Sequence, residues 1–165
     1  MEKLKPIISN GYEPGAIGRI TELHATYYSQ NWGFGLYFEA KVASEMSEFL
    51  IRIDSTRDGF WLAKLDGEIV GSIAIDGIKA GSDGAHLRWF IISPELACKG
   101  IGTLLIHKAL TFCRKLNFQR VYLWTFQGLY PARRLYEKYG FTLCKEHEDT
   151  QWGVTVLEQK FELKL

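Results

Sequence analysis

Cysteine, proline and methionine are scarce in this sequence, and no long apolar run occurs anywhere in it. The three cysteines among 165 residues, Cys98, Cys113 and Cys144, are odd in number, widely spaced and without a C-x-x-C pair. That pattern argues against a disulfide framework and against a zinc site, so no metal is expected and a reducing compartment fits best. No stretch approaches the ~20 apolar residues that span a bilayer, and Met1-Glu2-Lys3-Leu4-Lys5-Pro6 leads into no apolar run. The reading is a cytoplasmic protein without a membrane partner. A formal net charge of +1 leaves no dominant basic surface, so direct nucleic-acid binding is not expected. Charged residues make up 24% of the chain and apolar ones 47%, close enough to the globular average to exclude disorder. The length suits one domain, residues 1–165, and no internal repeat, low-complexity segment or linker divides it.

Periodicity supplies the elements. Leu4 to Ile8 reads as a short first strand, and Glu13-Pro14-Gly15 as a turn. Ile17, Ile20, Leu23, His24, Tyr27 and Tyr28 recur at helical spacing, and Phe38, Val42, Met46, Phe49 and Leu50 repeat the pattern in a second helix. Phe60 to Leu65 and Ile69 to Ile75 are β-rich runs joined by Asp66-Gly67, which predicts a type I′ hairpin. His86 to Ser93 reads as a mostly buried strand. From Gly100 the period turns helical, with Ile101, Leu104, Leu105, Ala109, Phe112, Cys113 and Leu116 expected on the inner side. Val121 to Phe126 is a further strand, and Pro131 to Tyr139 a short helix ended by Gly140. Two strands close the chain. In the last, Glu158, Lys160, Glu162 and Lys164 alternate with Leu157, Phe161, Leu163 and Leu165, the period of a strand with one wet face.

The most informative segment is the strand–glycine turn–helix at Ile91-Ile92-Ser93-Pro94 through Lys99-Gly100-Ile101-Gly102-Thr103. Such a turn aims several backbone N–H groups and the positive helix end at one point, which makes an anion site. Two glycines one residue apart are weak alone, and an ordinary turn is the competing reading. Other phosphate motifs are excluded: no Gly-Lys-Ser/Thr is present, and Leu105 stands where a dinucleotide fingerprint needs Gly or Ala.

Ile92-Ser93-Pro94 with Lys99-Gly100-Ile101-Gly102 is similar to the acetyl-CoA motif of the GNAT acetyltransferases. Ala132-x-x-Leu135-Tyr136-Glu137-Lys138-x-Gly140-Phe141 is similar to their second motif, in the right order. The element order resembles the family over nearly the whole chain. Leu87-Arg88-Trp89-Phe90 and the ending from Trp152-Gly153 look like the acetyltransferase half of MarR–GNAT fusions, without the winged-helix half. The resemblance implies an α/β (α+β) fold: a mixed, mostly antiparallel twisted sheet flanked by helices. It implies acetyl-CoA as acyl donor and a primary amine as acceptor, with the substrate itself unread; a homodimer stays open. Cofactor contacts are expected from Ile91, Ile92, Lys99, Gly100, Ile101, Gly102 and Thr103, with an oxyanion donor on the backbone near Ile91 or Ile92.

The same resemblance gives Tyr136 the role of general acid toward the CoA sulfur, against a packed aromatic as the alternative. His86 stands where many members place a glutamate and is the candidate base, against an ordinary strand histidine; His24, Glu39 and His147 are weaker candidates. Trp32, Phe34, Tyr37 and Phe38 line an acceptor pocket or belong to the core. Ala97, Cys98 and Leu129 depart from the family's usual Arg or Gln, Gly and Asn. Ala97 and Leu129 motivate one alternative to the enzyme, an acyl-CoA-binding sensor that has lost catalysis, and the fusion-like ending motivates another, a domain acting with a separate DNA-binding regulator.

Overall fold

A computed structural model describes residues 5–165. Its clearest local feature is the turn between two β-rich runs: Asp66 and Gly67 both take positive φ, 50° and 82°, as a type I′ turn requires. They join β2 (Gly59–Leu65) to β3 (Glu68–Asp76). Ahead of them lie β1 (Ile7–Asn10), α1 (Ala16–Trp32) and α2 (Leu36–Ile51). The first strand begins later than its apolar residues suggest, and Leu4 lies outside the described residues. After the hairpin come β4 (Ala85–Ile92), a single 3-10 turn at Pro94–Leu96, α3 (Ile101–Lys115), β5 (Arg120–Phe126), α4 (Tyr130–Lys138), β6 (Thr142–Asp149) and β7 (Val156–Lys164). The strands form one sheet in the order β1-β2-β3-β4-β5-β7-β6. Every neighbouring pair is antiparallel except β4–β5, whose connection runs through α3.

Helices cover both faces. One core joins the sheet to α3 and α4 through residues such as Leu105, Ile106, Leu110 and Phe161; the other joins it to α1 and α2 through Ile20, Phe34, Met46 and Phe49. Each fully buried Leu, Ile or Phe stabilises the fold by roughly 1.5–3 kcal/mol. α3 ends where Asn117 adopts φ 58° and Phe118 N–H returns to the Cys113 carbonyl at 3.1 Å, a left-handed stop of the kind asparagine tolerates. Among the described residues, no helix is long and apolar enough to cross a membrane.

Three expectations need correction. Leu104 is not on the inner side of α3 but 45% exposed. The inner stripe is Ile101, Leu105, Ile106, Ala109, Leu110 and Cys113, and Leu104 lies about 150° around the helix from its centre at 3.6 residues per turn. His147 sits within β6 rather than in an acidic loop. The polar face of β7 is wet only at its end, where Lys164 is exposed: Glu158 is 0% exposed, Lys160 lies 4.8 Å from the Tyr122 ring centroid, and Glu162 pairs with Arg120 at 3.6 Å. β7 is interior to the sheet, with β5 and β6 on either side, so its polar residues meet neighbouring side chains.

Candidate functional site

The site originates in β4. Ser72 pairs with Ile91 and Ala74 with Arg88, so the register slips between them; Trp89 takes φ 45°. Such a bulge bends a strand and re-aims its side chains. Here it turns the strand over: Ala85 and Leu87 pack in the α3 core, Trp89 and Ile91 in the α1–α2 core. The Ser72 hydroxyl donates to the Trp89 carbonyl at 2.6 Å and pins the bulge. On the other side, β4 pairs with β5 only at Ala85–Val121 and His86–Tyr122. Beyond those pairs the two strands part, and a cavity of about 560 Å³ occupies the gap.

The glycine turn forms one end of this cavity. Gly100 has φ 85° and caps α3 without any side-chain cap hydrogen bond, so the first-turn N–H groups keep their donors for whatever enters. A Cβ on Gly102 would meet Leu135 Cδ2 and Phe90 Cζ at 3.3 Å; a bare α-carbon keeps the helix start close to α4. Of the residues expected here, Ile91, Ile92, Gly100, Gly102 and Thr103 line the cavity. Lys99 is exposed, and the Ile101 side chain is buried in the α3 core; neither lines the cavity. Ala97 and Cys98 line it as well, and Leu129 is a buried apolar part of its wall.

Tyr136 faces the same space from α4, buried against Phe90, Phe141 and Phe161 at ring-centroid distances of 6.0, 5.9 and 6.3 Å. Burial, with a smaller contribution from Tyr28, pushes its hydroxyl pKa upward, so the phenol stays protonated. His86 stands at the floor where β4 and β5 still pair, stacked on Tyr122 at 4.5 Å. Burial and then the Arg88 charge lower its pKa to about 3, against a smaller opposing pull from Asp76. His24 is buried on α1 with Nδ1 2.9 Å from the Ile20 carbonyl, and burial lowers its pKa to about 4. It lines the cavity too. Glu39 is exposed on α2 and does not.

The α1–α2 wall shows what sequence reasoning missed. Glu45 and Lys41, one helical turn apart on α2, pair at 3.2 Å, and Glu45 also accepts a hydrogen bond from Arg88 on β4. All three line the cavity. Arg88 lies 4.2 Å from the Trp89 ring centroid and 3.9 Å from Asp76. Burial alone would raise the Asp76 pKa, but its 2.5 Å bond from Arg52, the Ile78 N–H and the two arginine charges outweigh it and hold the carboxyl low. The helical spacing of Lys41 and Glu45 was visible; their pairing with a residue 43 positions away was not. Of the four early aromatics, Phe38 lines the cavity, Phe34 is core, Tyr37 is exposed, and Trp32 packs edge-on against Phe126 at 5.0 Å.

The model of the Acetyltransferase (GNAT) family matches residues 18–141. An uncharacterized N-acetyltransferase of Methanocaldococcus jannaschii is 27% identical over 119 residues, 70% of this chain and 53% of that protein. The chain thus spans about half the length of the curated relatives it matches. A GNAT-family acetyltransferase of Staphylococcus aureus superposes with a TM-score of 0.76 at 18% identity, over 98% of this chain and 99% of its own. A Salmonella typhimurium acetyltransferase solved with its cofactor acetyl-CoA superposes with a TM-score of 0.72 at 13% identity, over 98% and 94%. Identities this low speak for the shared fold alone.

Proposed function

Since the chain belongs to the GNAT acetyltransferase family, we propose that it transfers an acetyl group from acetyl-CoA to a primary amine on a small molecule, peptide or protein. The observation that carries this reading is the parting of β4 from β5 beside an uncapped, glycine-opened helix start, with Tyr136 facing the same cavity. The pocket fits the donor in kind: a narrow, largely apolar cleft for the pantetheine arm and free main-chain N–H groups for a pyrophosphate.

Acetyl-CoA supplies an acetyl thioester; on transfer the acetyl carbon gains a bond to the amine nitrogen, which gives up a proton to water, and the carbon–sulfur bond breaks. The sulfur takes the Tyr136 proton, so that CoA leaves as a thiol and Tyr136 is reprotonated from water. The main chain from Lys99 to Thr103 binds the pyrophosphate, with the Lys99 and Ile101 side chains contributing little. A backbone N–H of Ile91 or Ile92 stabilises the oxyanion. Tyr136 Oη holds the proton for the departing sulfur; burial keeps the phenol protonated, while making it a weaker acid. His86, proposed from its place on the strand as the base, protonates only near pH 3; its narrower role is to accept a hydrogen bond at the cleft floor. The acceptor enters on the α1–α2 side, between Phe38 and the Lys41–Glu45–Arg88 group. We also read residues 1–165 as one domain and its setting as cytoplasmic, in keeping with three free thiols.

A panel of amines incubated with acetyl-CoA tests this, read by thiol release and by a mass gain of ~42 Da on the acceptor, an acetyl group replacing hydrogen. Transfer to one acceptor class is expected. Ala97 and Leu129, both apolar and both in the cavity wall, favour a second reading: an acyl-CoA-binding module without turnover. Tight acetyl-CoA binding with no thiol release across the panel would select that alternative.

A further inference from the structure

Outside the proposed cleft chemistry, β6 and β7 assemble a second polar cluster. His147 lies directly opposite Glu158 in the β6–β7 register, and Asp149, two residues further along β6, shares its face. His147 Nε2 is 3.3 Å from Asp149 Oδ2 and 3.4 Å from Glu158 Oε2. One oxygen or nitrogen from each of the three side chains lies within 4.8 Å of the others. Glu158 is 0% exposed. Its Oε1 accepts from the Gln151 side-chain amide, while Oε2, facing His147, is buried without a hydrogen-bond partner. A buried carboxylate oxygen left in that condition is costly, and a proton shared with Asp149 or a bound cation relieves the cost.

We propose that His147, Asp149 and Glu158 form a binding site for a divalent first-row transition metal, with Zn²⁺ the best fit. Tetrahedral coordination at ~2.0–2.2 Å puts neighbouring ligand atoms ~3.3–3.6 Å apart, and His147 Nε2 keeps that spacing to both carboxylates. Two carboxylates balance the ion's charge, imidazole selects against Mg²⁺ and Ca²⁺, and a water completes four ligands. Asp149 is already oriented as a ligand, because its Oδ1 accepts from the Thr150 and Gln151 N–H groups at 2.6 and 3.1 Å, which leaves Oδ2 for the ion. A bound ion ties β6 to β7 at the root of the turn carrying Gln151 and Trp152, both of which line the main cavity. The site therefore braces one wall of the cleft and does not depend on the acetyl-transfer reading.

The test uses the full chain, stripped with chelator, in a Cys98→Ser/Cys144→Ser background that removes both exposed thiols as competing ligands. Calorimetric titration with Zn²⁺ alone is expected to show one equivalent bound with micromolar or tighter affinity, and Co²⁺ alone to give the visible absorption of a tetrahedral site. His147→Ala and Glu158→Gln should each weaken Zn²⁺ binding by ~10-fold or more and abolish the rise in melting temperature that Zn²⁺ gives the parent. Asp149→Asn, at a partly exposed position, carries the test should Glu158→Gln not fold. No stoichiometric binding in the thiol-free parent, or equal affinity in the parent and the folded variants, overturns the proposal.

Discussion

Replacing Tyr136 by phenylalanine removes one oxygen and keeps the ring. The contacts that bury the residue, to Phe90, Phe141 and Phe161 at 5.9–6.3 Å between centroids, are ring contacts that phenylalanine retains. Folding stability should therefore move by no more than about 1 kcal/mol, the net contribution of one neutral hydrogen bond. The rate should move much more. Burial raises the hydroxyl pKa, so the phenol keeps its proton and has one to donate. A positioned proton donor contributes ~10²–10⁴-fold, or about 2.7–5.4 kcal/mol on the barrier at 1.36 kcal/mol per tenfold. The expected result is a kcat lowered ~100-fold or more at saturating acceptor, with acetyl-CoA affinity within ~3-fold of wild type, the split expected when only the transition state loses an interaction. Thiol release under single-turnover conditions isolates the chemical step; calorimetry gives the cofactor affinity and thermal melting the stability. An unchanged single-turnover rate refutes the assignment. A rate loss matched by an equal loss of acetyl-CoA binding refutes it too, because it would mean that the hydroxyl positions cofactor.

Gly102→Asp places a Cβ 3.3 Å from Leu135 and Phe90 and a negative charge at the helix start; acetyl-CoA affinity measured by calorimetry should fall at least ~10-fold, and an unchanged affinity in the folded variant removes this turn from the binding site. His24 and His86 have folded pKa values of about 4 and about 3 against an ordinary 6.5, so at pH 5 the unfolded chain binds protons that the folded chain refuses. Stability is full above pH 6.5 and falls as pH drops through 6.5 toward 4 and 3, by about 2 kcal/mol per histidine between pH 8 and pH 5. Denaturant unfolding at the two pH values should show each His→Gln variant losing about 2 kcal/mol less than wild type, and an undiminished loss in both variants contradicts the burial of neutral imidazoles. Cys98 is exposed and lines the cavity, whereas Cys113 is buried and burial pushes its thiol up to about 12. Mass spectrometry after mild alkylation should find Cys98 labelled, Cys113 untouched, and acetyl-CoA protecting Cys98; equal Cys98 labelling with and without cofactor rules out coverage of the loop.

Much of the fold was legible because local rules governed it. Asp66-Gly67 admits few turns besides the one observed, the Gly100 helix start follows from glycine's access to positive φ, and the α1, α2 and α4 patterns follow from the 3.6-residue period. The glycine turn and Tyr136 could be named from their motifs, and the tertiary structure brings both to one cavity. What sequence determined, then, was each element's type and the chemistry its residues carry.

The tertiary structure decided the environments, because electrostatics and burial depend on neighbours distant in the chain. His86 is an unexceptional strand histidine until burial beside Tyr122 and the Arg88 charge hold its imidazole neutral. Leu104 and Leu105 are adjacent apolar residues on α3, and the helix face that packs on the sheet buries Leu105 alone of the two. The bulge at Trp89 lies where β4 slips in register against β3, and β4 pairs with β5 only ahead of it, so the cleft belongs to strand pairing and not to one residue type in β4. The His147–Asp149–Glu158 cluster likewise exists only through the β6–β7 register, since shifting that pairing by one residue would send Glu158 to the opposite face of the sheet.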